Sequence, residues 1–423
     1  MADYVILRDA TAAPTAAPFD LGRRGRAAAG ARARPSLAPG AGLAPPPAPQ
    51  VEVQNLTPKG VREAARDPTV VGVARRMPTR LIAPVEPQAS AAAAGDAGAS
   101  AAGDAWGIAA VGAGASARTG AGVTVAVLDT GIDRNHTAFA GVQLVERDFS
   151  GDGNGDVQGH GTHCAGTIFG RDVGGRRIGV ARGVERALIG KVLGNDGGGS
   201  SEMIFEGIQW AMQNGANVVS MSLGFDFPGL VRILMEGEGL PTEAAVSVAL
   251  EAYRGNLRMF DALMNMAEAL DPFGGSPVIV AAAGNESARG LAKPFEIAAS
   301  LPAAAEGVIS VAALRQEAGG ATLGVADFSN TFAVLSAPGQ AIPSARAGTT
   351  TGLTEKSGTS MACPHVAGVA CLWWEELREA GQVVPAASLV VAQLMARART
   401  NVFTAGLDPV DRGAGLVSSP PAA

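Results

Sequence analysis

Aromatic residues are scarce in this chain: two tyrosines, four tryptophans and thirteen phenylalanines make up 4% of its 423 residues. A core must therefore be built from Ala, Val, Leu and Gly, which suits closely packed parallel β/α layers. There are only three cysteines, Cys164, Cys363 and Cys371. An odd count in a long chain excludes a disulfide framework and fits a reducing compartment or incidental thiols. Charge is sparse at 17% and sums to -6, so nothing points to nucleic acid as a partner. No apolar run approaches the roughly 20 residues that a membrane-spanning helix needs, so a soluble protein with no membrane partner is expected. The start, MADYVILRD, lacks the basic segment and long apolar core of a secretory signal peptide. That makes the cytoplasm the default location and leaves non-classical export open. HExxH and GxSxG are both missing, which argues against a metalloprotease helix and an esterase elbow.

Three short segments carry chemistry: DTGID (129–133), GHGTHCAG (159–166) and SGTSMACPH (357–365). A serine hydroxyl is a poor nucleophile until an imidazole takes its proton, and the imidazole needs a carboxylate to fix its tautomer. Asp129, His160 and Ser360 are the candidates, and their settings fit the task. VTVAVLDTG (123–131) is apolar and β-branched, so it reads as a buried parallel strand ending at Asp129. GHGTHCAGTIFG (159–170) opens with glycine and continues as a small-residue helix with His160 near its start. Ser360 falls where a glycine-containing loop turns into a long apolar helix, so unpaired backbone N–H groups face its oxygen. Pro364 is tolerated if it lies within that first turn. Any one of these segments alone would more often be a turn or a helix start.

In this order the segments resemble the subtilisin-like serine proteases, the subtilases, over roughly residues 104–418; Asp, His, Ser is the chain order of subtilisin. The resemblance implies an α/β fold with three α/β/α layers around a mostly parallel sheet, and peptide or protein substrates. It implies that Asn285, at the end of VIVAAAGNES (278–287), donates to the oxyanion. In subtilisin such a donor is worth about 2.7–4 kcal/mol of barrier. It also implies that Ser222, Leu223 and Gly224 of NVVSMSLG (217–224) pair with the substrate backbone. The pocket for the residue before the cut would lie between Leu223, Gly224, Ala282, Ala283, Gly284 and Ser300 and favour apolar side chains. Glu286 at its rim could accept a basic one. No organic cofactor is implied.

The N-terminal hundred residues differ in character. Residues 10–50 are rich in Ala, Pro, Gly and Arg and are expected to be disordered. YVIL and VEVQNL read as strands, Thr57 as an N-cap, Pro58 as a first helical residue, GVREAARDP as a helix ended by Asp67-Pro68, and TVVGVARR as a further strand. This small α+β unit resembles the subtilase propeptide, which in the family occupies the active-site cleft until it is cut away. The expected organisation is a propeptide-like region 1–84, an Ala/Gly/Ser-rich linker 85–105 holding the processing site, a catalytic domain 106–418 and a tail 419–423. An ordinary accessory module is the alternative for the first region.

Two departures from the family pattern stand out. Residues 225–275 form an insertion of helical patterning whose role the sequence leaves open. Where the family commonly has a calcium-binding carboxylate, nine residues after Asp129, this chain has Ala138, and the loop GRDVGGRRIG carries three arginines. Calcium is therefore unsupported at the usual site. DGNGD offers oxygen ligands at Asp152, Asn154 and Asp156 but lacks the EF-hand pattern, so a solvated acidic turn is the alternative. Cys164, one helical turn after His160, is placed to sit beneath the imidazole as in the thiol-containing branch of the family, or simply to pack as a small buried side chain. His136, His163 and His365 read as structural. A catalytically silent subtilase-like peptide-binding protein is the functional alternative.

Overall fold

The computed structural model describes residues 1–9, 49–85, 102–320, 322–382 and 385–422. The stretch expected to be disordered lies outside these residues except for positions 49 and 50, and Gln50 already begins a strand. Most of the expected 85–105 linker likewise lies outside them.

An eight-stranded sheet forms the centre. Its order runs Leu323–Val325, Ile309–Gln316, Val278–Ala282, Val218–Met221, Thr124–Asp129, Arg186–Lys191, Gln143–Asp148, with Leu335–Pro338 also paired to Ile309–Gln316. All pairings are parallel except that of Leu323–Val325. The strand Thr124–Asp129 alternates between two cores, as its pleat dictates. Val125 and Val127 belong to one buried cluster with Ile168 and Val366, whereas Ala126 and Leu128 belong to the other with Ile204 and Phe205. Helices thus cover both faces in three layers, as the α/β reading expects.

The chain leaves Thr124–Asp129 to reach Gln143–Asp148 two places away, returns to Arg186–Lys191, and then crosses to Val218–Met221 on the far side. Asp129 ends the strand at which this order reverses. Open parallel sheets hold their ligands in the crevice at such a point.

The N-terminal unit is a three-stranded antiparallel sheet. β1 (Ala2–Arg8) lies between β2 (Gln50–Leu56) and β3 (Val70–Arg75). Helix α1 (Pro58–Ala64) follows its N-cap Thr57, whose hydroxyl accepts from the Gly60 N–H at 3.1 Å. It stops at Ala64, ahead of the expected Asp67-Pro68 break, because Arg66 and Asp67 turn more tightly onto the Glu63 and Ala64 carbonyls. Val5, Leu7 and Ala74 share one buried cluster with Phe205, Met259, Phe260 and Leu263 of the central body. At about 1.5–3 kcal/mol per fully buried aliphatic side chain, that shared core is a main source of docking energy.

The 225–275 insertion forms two α-helices, Phe227–Glu236 and Thr242–Glu268, followed by a short 3-10 turn at Asp271–Phe273. The longer one lies under the N-terminal sheet. Gly72 faces Met259: a Cβ there would stand 3.5 Å from Met259 Cγ, at ordinary van der Waals contact. Asn256 Nδ2 donates to the Arg75 carbonyl at 2.9 Å.

Candidate active site

Asp129 and His160 are buried, and Asp129 Oδ1 lies 2.8 Å from His160 Nδ1. A carboxylate accepting from Nδ1–H leaves Nε2 as the ring's basic nitrogen. Nε2 is buried and has no hydrogen-bond partner among the described residues. The backbone around this pair is tightly built. Helix His160–Phe169 is entered from Gly159, whose φ of 81° favours glycine. At Gly161 a Cβ would lie 2.2 Å from the Gly131 carbonyl oxygen, so only glycine lets the helix start approach the loop after Asp129.

Asp156 clamps the same junction. Its Oδ1 accepts from Thr130 Oγ1 at 2.8 Å and Gly159 N at 2.7 Å, and its Oδ2 from Thr162 N at 2.8 Å and Thr162 Oγ1 at 2.6 Å. Thr130 Oγ1 in turn accepts from Gly161 N at 2.9 Å. One carboxylate thus ties the strand end that bears Asp129 to the helix start that bears His160. Its use as a metal ligand would require giving up these donors. Of the other two candidates for metal, Asp152 Oδ2 accepts from Asn195 N at 2.7 Å, and Asn154 is exposed.

Ser360 is the second residue of helix Thr359–Glu379. Its hydroxyl donates to the Ile82 carbonyl at 3.0 Å. Pro364 lies in the helix interior, beyond the first turn, and has no N–H for the carbonyl four residues back. That carbonyl belongs to Ser360, and it accepts instead from Ser222 Oγ at 3.2 Å and Cys164 Sγ at 3.3 Å. Cys164 therefore both lies 3.7 Å from His160 Nδ1 and supports the Ser360 backbone. Burial pushes its thiol well above the ordinary value. Asp129, His160 and Cys164 also bring three metal-type ligand atoms within 4.8 Å of one another among the described residues. The Asp129 and His160 atoms involved already bind each other.

Asn285 Oδ1 accepts from Thr359 N at 2.8 Å and Thr359 Oγ1 at 2.9 Å, which fixes the amide. Its Nδ2 donates to the Ala83 carbonyl at 2.9 Å.

The cleft is filled by the chain itself. Strand β4 (Pro78–Leu81) lies between Leu223–Phe225 and Gly198–Ser200, antiparallel to both. Leu81 is opposite Leu223, Arg80 opposite Gly224, and Thr79 opposite Phe225. The Gly197–Ser200 wall was not anticipated; the glycine run GNDGGGSS before helix Ser201–Gln213 was its sequence signal. The next residue, Ile82, is buried beside Gly224: a Cβ there would meet Ile82 Cγ1 at 3.6 Å and Ser300 Oγ at 3.8 Å. Ile82 shares a cluster with Ala282, whereas Ala283 packs in a separate small cluster with Ala312 and Ala333. Gly284, at φ 114°, donates its N–H to Thr359 Oγ1 at 3.1 Å. Glu286 meets Arg80, two residues before Ile82, with Oε1 3.3 Å from the guanidinium.

The remaining histidines are engaged by backbone. His163 Nε2 lies 2.9 Å from the Ile342 carbonyl, His365 Nδ1 2.8 Å from that of Met361, and His136 caps a short helical turn at Thr137–Phe139. Burial holds His365 down at about 4. At the usual family calcium loop, Ala138 is buried and the Arg177 guanidinium donates to the Gly179 and Val180 carbonyls.

The fold is a three-layer α/β/α architecture with a groove that takes an extended strand, and the comparisons specify it. The sequence matches the model of the Subtilase family over residues 120–411, and the chain belongs to that family. It is 34% identical over 252 residues to subtilisin-like protease 6 of Trichophyton equinum, covering 58% of this chain and 50% of that protein. It is 34% identical over 257 residues to subtilisin DY of Bacillus licheniformis, covering 59% of this chain and 76% of that protein. It is 31% identical over 245 residues to an alkaline proteinase of Hapsidospora chrysogena. The chain spans about half the length of most of these relatives.

Proposed function

We propose that this chain is a serine endopeptidase made as a precursor that cuts itself. His160 Nε2 takes the Ser360 Oγ proton as that oxygen bonds to the substrate carbonyl carbon. The resulting oxyanion accepts from Asn285 Nδ2 and the Ser360 backbone N–H. The C–N bond then breaks as His160 passes its proton to the departing amine, leaving an acyl ester on Ser360. Water repeats the sequence and restores the serine. Asp129 holds the imidazole tautomer throughout. Every group in this sequence is supplied by the chain, so no cofactor is required.

The observation that carries this reading is the chain's own segment laid across the groove as an added strand, the mode by which peptides bind sheet edges. The Ile82 carbonyl accepts from the Ser360 hydroxyl, which selects the bond after Ile82; the Asn285 amide meets the next carbonyl, that of Ala83, and must move to the Ile82 oxygen to serve the oxyanion. That bond is the proposed processing site, slightly ahead of the 85–105 stretch. Residues 1–82 then act as a propeptide that blocks the cleft and templates a large parallel sheet, whose long-range pairing is slow to form. Ser222, Leu223 and Gly224 are the proposed substrate wall on one side and residues 197–200 the wall on the other. The catalytic unit is taken as residues 106–418, with 225–275 as its insertion and 419–423 as its tail.

The test is cleavage of a mixed peptide set by the full chain beside Ser360→Ala. Peptide-bond hydrolysis by the parent alone supports the reading; ester hydrolysis does not decide it. If neither protein cuts any peptide after residues 1–82 are removed, the silent peptide-binding protein takes its place.

A further inference from the structure

We propose that the cleft selects substrates carrying arginine or lysine at the third residue before the cut, through Asp226 and Glu286. This rests on the proposed peptidase reading and on the Ile82–Ala83 bond as the one presented to Ser360. Counted from that bond, Arg80 is the third residue back, and its backbone is fixed on both sides, opposite Gly224 and Gly198. Its guanidinium lies between two carboxylates: NH1 is 3.6 Å from Asp226 Oδ1 and NH2 is 3.3 Å from Glu286 Oε1.

Both acids are held in place by the body of the protein. Asp226 caps helix Phe227–Glu236, accepting from Gly229 N at 3.0 Å. Glu286 divides its oxygens, Oε2 accepting from Asn330 Nδ2 at 2.8 Å and Oε1 facing Arg80. Carboxylates already positioned by the protein lose less freedom on meeting a cation than mobile surface acids do. The same charge asymmetry continues upstream, where Arg76 pairs with Glu202 at 2.9 Å and Arg75 with Glu238 at 2.6 Å. Asp226 lies in the insertion, so this assigns part of it to substrate selection.

The guanidinium is half-exposed, so the preference is modest and salt-sensitive. The experiment uses the full chain after it has processed itself and two internally quenched peptides, Pro-Thr-Arg-Leu-Ile-Ala-Pro and the same sequence with Gln in place of Arg. The ratio of their kcat/KM values is independent of how much active enzyme a preparation holds. An Arg-to-Gln ratio of about 3 to 10 at low ionic strength is expected, falling toward one at high salt. Glu286→Gln and Asp226→Asn should each lower the low-salt ratio. Equal cleavage of the two peptides at low salt, or a ratio unchanged in both variants, overturns the inference while leaving the peptidase reading intact. Failure to cut either peptide, or any other, overturns the peptidase reading instead.

Discussion

Gly161→Ala sets helix propensity against site geometry. In a helix interior alanine is favoured over glycine by about 1 kcal/mol; at Gly161, the second residue of its helix, that figure is an upper bound, and the helix alone still predicts a gain. The surroundings predict the reverse. The new Cβ would stand 2.2 Å from the Gly131 carbonyl oxygen, 3.1 Å from Gly131 N and 3.2 Å from Asp129 Cβ. The first of these is backbone, so no side-chain rotation relieves it, and the gap must open from 2.2 Å to at least 3.0 Å, by about 0.8 Å. That opening separates the residue after His160 from the segment that follows Asp129, across the 2.8 Å bond between them. A misplacement of about 1 Å at reacting groups costs about 10²-fold in rate. Overpacking costs about 1–3 kcal/mol, and the propensity gain offsets at most about 1 of it. The variant should therefore fold, with stability lower by no more than about 3 kcal/mol, and lose about 10²-fold in kcat at little-changed KM. Steady-state peptide hydrolysis with a parallel thermal melt measures both. Parental kcat with a raised melting temperature would refute the close-packing argument.

Acid should loosen the N-terminal unit first. The Thr69 N–H, the Arg8 guanidinium and the Thr69 hydroxyl hold Asp67 down from its ordinary 3.8 to about 2. A carboxyl with a depressed folded pKa stabilises above its unfolded value and stops doing so as pH falls through the folded one. Amide exchange of β1 should accelerate between about pH 4 and pH 2, and Asp67→Asn should flatten that dependence. The cysteines should be silent to alkylation. All three are buried, burial raises the Cys164 and Cys371 thiols well above their ordinary value, and it pushes Cys363 up to about 11. Iodoacetamide at pH 8 should leave the folded chain's mass unchanged and add three groups after denaturation, because the thiolate is the reacting species. Labelling of Cys164 in the folded chain would contradict its packing beneath His160.

The local elements that carry the candidate site were legible because their signals are local. The β-branched run ending at Asp129 and the glycines before His160 each specify one element and one turn. The strand β4 was not legible in the same way. MPTRL has no alternating pattern and contains a proline, and it becomes a strand only because edges about 120 and 145 residues later lie on either side of it. Asp156 could be seen as an acid in a turn, but its four donors come from residues that only the folded loop gathers. The partners of the Ser360 carbonyl were hidden for a related reason. Pro364 announces a missing N–H, while the groups that replace it come from Ser222 and Cys164, far away in sequence. The insertion's helices were readable from their periodicity. Their use as a bed for the N-terminal sheet was not, since periodicity marks an apolar face without naming its partner.

The most direct measurement is the intact mass of the purified full chain over time, beside Ser360→Ala. The account predicts that the parent yields a fragment ending at Ile82 and a complementary one beginning at Ala83, at a rate independent of protein concentration, while the alanine variant stays whole. A parent that also stays whole, or a cut at the same bond in the alanine variant, would contradict it.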